Sequence, residues 1–362
     1  MRARLQRPRP RAFAPMSPAV MHPPAGTGRC RSPSRVRGHA LPPPAVPTTT
    51  GAGASGRPRL LRPTLAAALT ALLAVAAACE RPASSGSPAA SLSPLPEALD
   101  GFRADAWFLP DDDLLGFVEI PAGPFTMGSD PAVDPRAFEN ERWSAGQAQG
   151  SVDLPAYAIG RYEVTVAQFR AFADASGSTF APETLRGVLD EPVGSVSWPD
   201  ALTYCRWLEA TLRDWPDTPQ RLREWLDAGW RITLPSEAEW EKAARGTNGR
   251  VYPWGDVPRR DRANFGGANG PTAAGSFECP ECPFGLSDMS GNVWELTRSP
   301  YQPYPYDESD DAGDLTADAL FVMRGGSFMD PEGNVRAAIR GGADPGVRRP
   351  FIGFRIVVTP SP

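Results

Sequence analysis

Acidic residues enter this chain late. Residues 1–79 hold twelve Arg and no Asp or Glu, a net charge of +12, while the remaining residues set 25 basic groups against 42 acidic ones. All ten Trp lie in the acidic part, beginning at Trp107. Large aromatic rings need a core to bury them, so the second part must supply the folded body. The two His are His22 and His39, both in the basic part. A body without imidazole excludes a Ser-His-Asp triad, a Cys-His pair and any His-ligated zinc, iron or copper site. Its excess of acid also opposes phosphate backbones, so no nucleic-acid partner is expected.

Residues 1–56 are rich in Arg, Pro, Gly and Ala with almost no apolar periodicity, a composition that predicts a disordered leader. Arg57, Arg59 and Arg62 then precede an apolar stretch from Thr64 to Ala78. At about 15 residues it falls short of the roughly 20 that span a membrane, but it has the length of the core of a secretory signal. Small residues follow in Ala76-Ala77-Ala78-Cys79. This ending resembles the bacterial lipobox, whose Cys is lipidated and becomes the mature N-terminus; Ala76 departs from the usual Leu. Residues 57–79 are thus expected to export the protein and anchor it to the envelope membrane through Cys79, with a periplasmic or secreted form as the alternative. A signal so far from the first Met implies a start site placed too far upstream. Residues 80–115 read as a flexible tether.

From residue 116 the pattern is that of one irregular α+β domain reaching residue 360, within the size one core supports. Phe117–Ile120 and Phe125–Met127 read as strands around Pro121–Pro124, and Tyr157–Ile159 with Tyr162–Val164 as a second pair. Thr165–Gln168 and Ser236–Glu239 are capping boxes that open helices ending at Gly177 and Gly246. Another helix follows Ser197, with Ala201, Tyr204, Cys205, Leu208 and Leu212 at half-buried spacing, and a short one fills Pro219–Ala228. Val322–Arg324 and Phe354–Val358 read as the last strands.

The order of motifs in this region is distinctive: FVEIPAGPFTMG from Phe117, IGRYEVTV from Ile159, PVGSVSWPDA from Pro192 and RITLPSEAEWEKAAR from Arg231. YPWGD from Tyr252, ANF from Ala263, FGLSDMSGNVWEL from Phe284, RGGSF from Arg324 and GFRIV from Gly353 complete it. The series resembles the formylglycine-generating, sulfatase-modifying factor family, which implies a C-type-lectin-like fold poor in regular structure. Members that make formylglycine place two Cys after the Arg-Gly-Gly-Ser segment to hold copper and oxidise a substrate Cys. Those positions here carry Asp330 and Val335. Soft thiolates select Cu(I), and neither a carboxylate nor an isopropyl group replaces them. A second branch, the sulfoxide synthases of ergothioneine biosynthesis, binds iron through His, which this body lacks. Neither copper nor iron is therefore expected.

The resemblance further implies calcium in the Asp288–Glu295 segment, held by the side chains of Asp288 and Glu295 and the carbonyls of Gly291 and Val293. Two carboxylates with a Gly turn between them suit a hard cation; the competing reading pairs Glu295 with a buried Arg in a purely structural loop. A second calcium site beginning at Asn264 and Phe265 is not expected to be complete. Arg324, Ser327, Arg336, Arg340 and Arg355 fall in or near the segment that lines the family's substrate groove, where guanidinium forks grip carboxylates or peptides. Internal ion pairing is the other reading. Cys279 and Cys282 are expected to form a disulfide, with each other or with Cys205, although Cys205 also suits a buried apolar helix face. Lys242 has no assigned role, and Asp307–Asp318 reads as a solvated loop.

The function expected from these residues is a non-catalytic binding or assembly component of the cell envelope, with an unidentified protein or peptide partner. The alternative is a metal-dependent oxidase acting on protein cysteine.

Overall fold

The computed structural model describes residues 92–312 and 319–360. The leader, the sorting signal and Cys79 lie outside the described residues. The chain enters through β1 (Phe102–Arg103) and β2 (Leu109–Pro110), paired antiparallel. Much of the expected tether is in fact folded. Leu95, Leu99 and Phe102 pack around Phe108, Ala167 and Ala171, and Leu109 and Leu115 reach the main core. These apolar side chains bury enough surface to order a stretch whose Pro and Ser content suggested a linker.

The strands β3 (Phe117–Ile120) and β4 (Gly123–Met127) form as expected but do not pair with each other. Gly123, at φ 124°, swings the chain off the first sheet, a backbone state open to glycine. β4 pairs with β5 (Gly150–Leu154), and β3 with β6 (Tyr157–Gly160). Tyr162–Val164 makes no ladder, contrary to expectation. The Val164 amide donates to the Phe354 carbonyl and its own carbonyl accepts from Val193, while Glu163 is buried.

Helix starts follow local chemistry. Thr165, Ser197 and Ser236 each cap a helix and are answered by Gln168, Asp200 and Glu239 in reciprocal capping boxes. They open α1 (Val166–Ser176), α2 (Trp198–Asp214) and, after α3 (Gln220–Asp227) and β7 (Arg231–Thr233), α4 (Glu237–Arg245). Beyond α4 come β8 (Trp294–Pro300), β9 (Phe321–Arg324), β10 (Gly341–Ala343), β11 (Ile352–Gly353) and β12 (Val357–Thr359). The last strand starts later than its sequence suggests, since Phe354–Ile356 is irregular and carries the buried Arg355.

One sheet has the order β3-β6-β12-β7, all antiparallel; the other runs β10-β9-β8-β11, with β11 parallel to β8. The first is covered on both faces. Ala158 and Val358 join a core with Phe169, Phe172, Tyr204 and Phe354, whereas Tyr157, Ile159 and Val357 join Trp240, Phe125 and Met127. Successive strand residues face opposite ways, so a doubly covered strand is apolar throughout. The architecture is a mixed α+β fold with short elements and long loops. Within the acidic run, Asp311 is buried rather than solvated and accepts from the hydroxyls of Ser299 and Tyr306. Residues 313–318 of that run lie outside the described residues.

Candidate functional site

The interior around α4 is built from charge. Every residue of Glu237–Arg245 is buried. Arg324 donates to Glu237 at 3.0 Å, to Glu241, and to the carbonyls of Ala337 and Ala338. Arg340 holds both oxygens of Glu237 at 2.5 and 2.9 Å beneath the Tyr304 ring. Arg245 pairs with Glu241 at 2.7 Å and Arg298 with Glu239 at 2.5 Å. Burial pushes the Glu241 carboxyl up, but Arg324 and Arg245 overcome it and leave it below the ordinary range. Even Lys242 has a role: its amine donates to the carbonyls of Pro121 and Gly123.

Arg336 similarly binds Asp134 and Glu141, and Arg355 binds Glu295. The arginines considered for a ligand groove therefore serve internal ion pairs, the second of the two readings open from sequence. Ser327 is buried with them, its hydroxyl donating to Asp330 at 2.5 Å.

The Asp288–Glu295 loop is different. Asp288, Gly291 and Asn292 all take left-handed backbone angles, at φ 58°, 78° and 58°. Only glycine fits at the centre, since a Cβ on Gly291 would lie 2.2 Å from the Asn264 carbonyl oxygen. Asp288 Oδ2 accepts the Gly275 amide at 2.8 Å, while its Oδ1 is buried without a partner. Glu295 is fully engaged: Oε2 accepts Trp240 Nε1 at 2.7 Å and Arg355 Nε at 2.5 Å, and Oε1 accepts Arg355 Nη2 at 2.6 Å.

A third carboxylate was missed from sequence. Glu163 Oε2 accepts Asn292 Nδ2 at 2.6 Å, and Oε1 accepts the Val293 amide at 3.1 Å. The available signal was an acid flanked by apolar residues in Tyr162-Glu163-Val164. Burial, aided by the charges of Asp288 and Glu295, pushes Glu163 well above the usual carboxylate range. Burial also pushes Asp288 up to about 6, against the Gly275 amide and Arg355, which favour its charged form. Asn264, where a second cation site would begin, instead donates its amide to the Gly270 carbonyl and Asn292 Oδ1.

Three carboxyl groups thus gather around one guanidinium, and one of their oxygens is orphaned. No three acidic, His or Cys side chains among the described residues are grouped to hold a metal by themselves. A cation here would need backbone carbonyls as well, and an all-oxygen donor set of this kind fits a hard ion such as calcium.

Asp330 forms a separate knot. Its Oδ2 accepts Trp294 Nε1 at 2.9 Å, the Ser327 amide at 3.0 Å and the Ser327 hydroxyl; Oδ1 accepts Asn334 Nδ2 at 3.3 Å. Val335 is fully buried with Tyr252, Ala263 and Phe265. Cys279 and Cys282 are bonded to each other, and Cys205 is a buried thiol on α2 that burial pushes far above its ordinary range.

The fold and these motifs coincide with a known domain: the sulfatase-modifying factor enzyme 1-like model matches residues 109–360. The chain belongs to that family. Relatives within it differ in chemistry. The hercynine oxygenase of Mycolicibacterium smegmatis is 30% identical over 66% of this chain, which spans 60% of that protein's length. The inactive C-alpha-formylglycine-generating enzyme 2 of Mus musculus is 32% identical over 66% of the chain and 84% of its own length. Among solved structures, PvdO from Pseudomonas aeruginosa superposes with a TM-score of 0.54 at 26% identity, covering 67% of this chain and 94% of that one.

Proposed function

We propose that this member of the family is a non-catalytic binding or assembly protein of the cell envelope, lipid-anchored through Cys79 and steadied by calcium. The observation that carries the loss of catalysis is the Asp330 knot. At the positions where the family's oxidases are expected to place two copper-binding Cys stand a carboxylate tied by Trp294, Ser327 and Asn334 and a buried isopropyl group. Neither offers a soft ligand. The similarity to an inactive formylglycine-generating enzyme supports the same reading.

In the Asp288–Glu295 loop, Asp288 Oδ1 and the carbonyls of Gly291 and Val293 would hold calcium, with Glu163 and Glu295 adding negative charge around it. The ion would stabilise the loop by neutralising that charge. With the arginines engaged internally, the partner is to be sought on the outer surface rather than at a guanidinium groove. The test is oxygen consumption by the purified, copper-supplied protein with a Cys-containing peptide. No turnover is expected, and turnover would overturn the proposal. The double variant Asp330→Cys, Val335→Cys should gain copper binding, measured by metal analysis after dialysis.

A further inference from the structure

Resting on the calcium reading above, we infer that Glu163 is the positioning residue of the cation loop: it clamps the peptide unit between the two carbonyls that would meet the ion. A trans peptide sets its N–H and C=O on opposite sides, so pinning one orients the other. Three successive units of this loop are pinned. The Asn292 amide donates to the Asn264 carbonyl at 2.9 Å, and the Trp294 amide to the Phe351 carbonyl at 2.9 Å. These bonds direct the Gly291 and Val293 carbonyls away from Asn264 and Phe351. The middle unit is held from both sides, its N–H by Glu163 at 3.1 Å and its C=O by the Phe328 amide at 2.8 Å.

Glu163 alone does this with a side chain. Its second oxygen takes Asn292 Nδ2, and that side chain's Oδ1 accepts from the Thr272 amide at 2.9 Å, so one carboxylate ties the 264–272 loop, the 288–295 loop and the start of α1 together. Asn292 is held in a left-handed state that an unconstrained chain rarely enters. The role of Glu163 is geometric: it fixes the peptide unit on which the orientation of both neighbouring carbonyls depends.

The experiment compares calcium affinity by calorimetry, and the change in melting temperature between calcium and EGTA, in the wild type, Glu163→Gln, Glu163→Asp and Asp288→Asn. Asp288→Asn should abolish binding. Glu163→Gln should weaken it at least about tenfold and shrink the calcium-dependent shift, and Glu163→Asp, which keeps two acceptor oxygens, should recover part of the affinity. A merely structural Glu163 would lower the melting temperature equally in both buffers and leave affinity unchanged, which overturns the inference while the calcium reading stands. Absence of binding by the wild type overturns both. If Glu163→Gln does not fold, Glu163→Asp decides the matter alone: wild-type affinity overturns the inference, and weaker affinity supports it.

Discussion

The charges around α4 and those around the Asp288–Glu295 loop are equally buried, yet they obey different balances. Near α4, Glu237, Glu239 and Glu241 meet Arg245, Arg298, Arg324 and Arg340, and each carboxylate has at least one guanidinium within bonding distance. In the loop, Glu163, Asp288 and Glu295 share Arg355, and one oxygen is left over. Burial raises the energy of every ion, and only pairing offsets it. A network matched in charge therefore needs no ion from outside, even though Arg324 Nε is buried in it without a hydrogen-bond partner, whereas an unmatched one has room for a cation.

Breaking the matched side should produce the largest effect. Arg324→Leu strips a partner from both Glu237 and Glu241 and should cost about 3–5 kcal/mol in urea unfolding; a loss below about 1 kcal/mol would show that the network contributes little. Its fringe offers a milder test through pH. Burial lifts Asp311 to about 6, opposed by Arg298 and the hydroxyls of Ser299 and Tyr306, with Glu239 adding to the rise. The folded protein then binds this proton more tightly than the unfolded chain. Its contribution is full below about pH 4 and is lost as pH climbs through 6, a change of up to about 3 kcal/mol. Asp311→Asn should flatten that slope in pH-dependent melting. The smallest effect belongs to the unmatched side. In EGTA, Asp288→Asn should fall within about 1 kcal/mol of wild type or exceed it, because it removes an uncompensated charge. A large loss there would erase the distinction between the two regions.

Local features were legible in the sequence. The Thr165, Ser197 and Ser236 helix starts rest on bonds within three residues, so spacing alone reveals them. The family likewise follows from motif order. Pairing was not legible: β3 passes over its neighbour β4 to join β6, since Gly123 redirects the chain in a way no local pattern encodes. The same limit hid Glu163, whose partners lie far along the chain at Asn292 and Val293. It also hid the destination of the arginines, because a guanidinium bound for Glu237 looks in sequence like one bound for a ligand.

The helix made of Glu237–Arg245 imposes an order on biosynthesis. Its acids precede Arg298, Arg324 and Arg340, so a ribosome releases the helix before most of its counter-ions exist. Until Arg340 emerges, that segment is better off wet than enclosed. That network cannot close before Arg340 is made, and the strand β12, which contributes to both core faces, arrives later still, so the finished interior waits on the chain's final third.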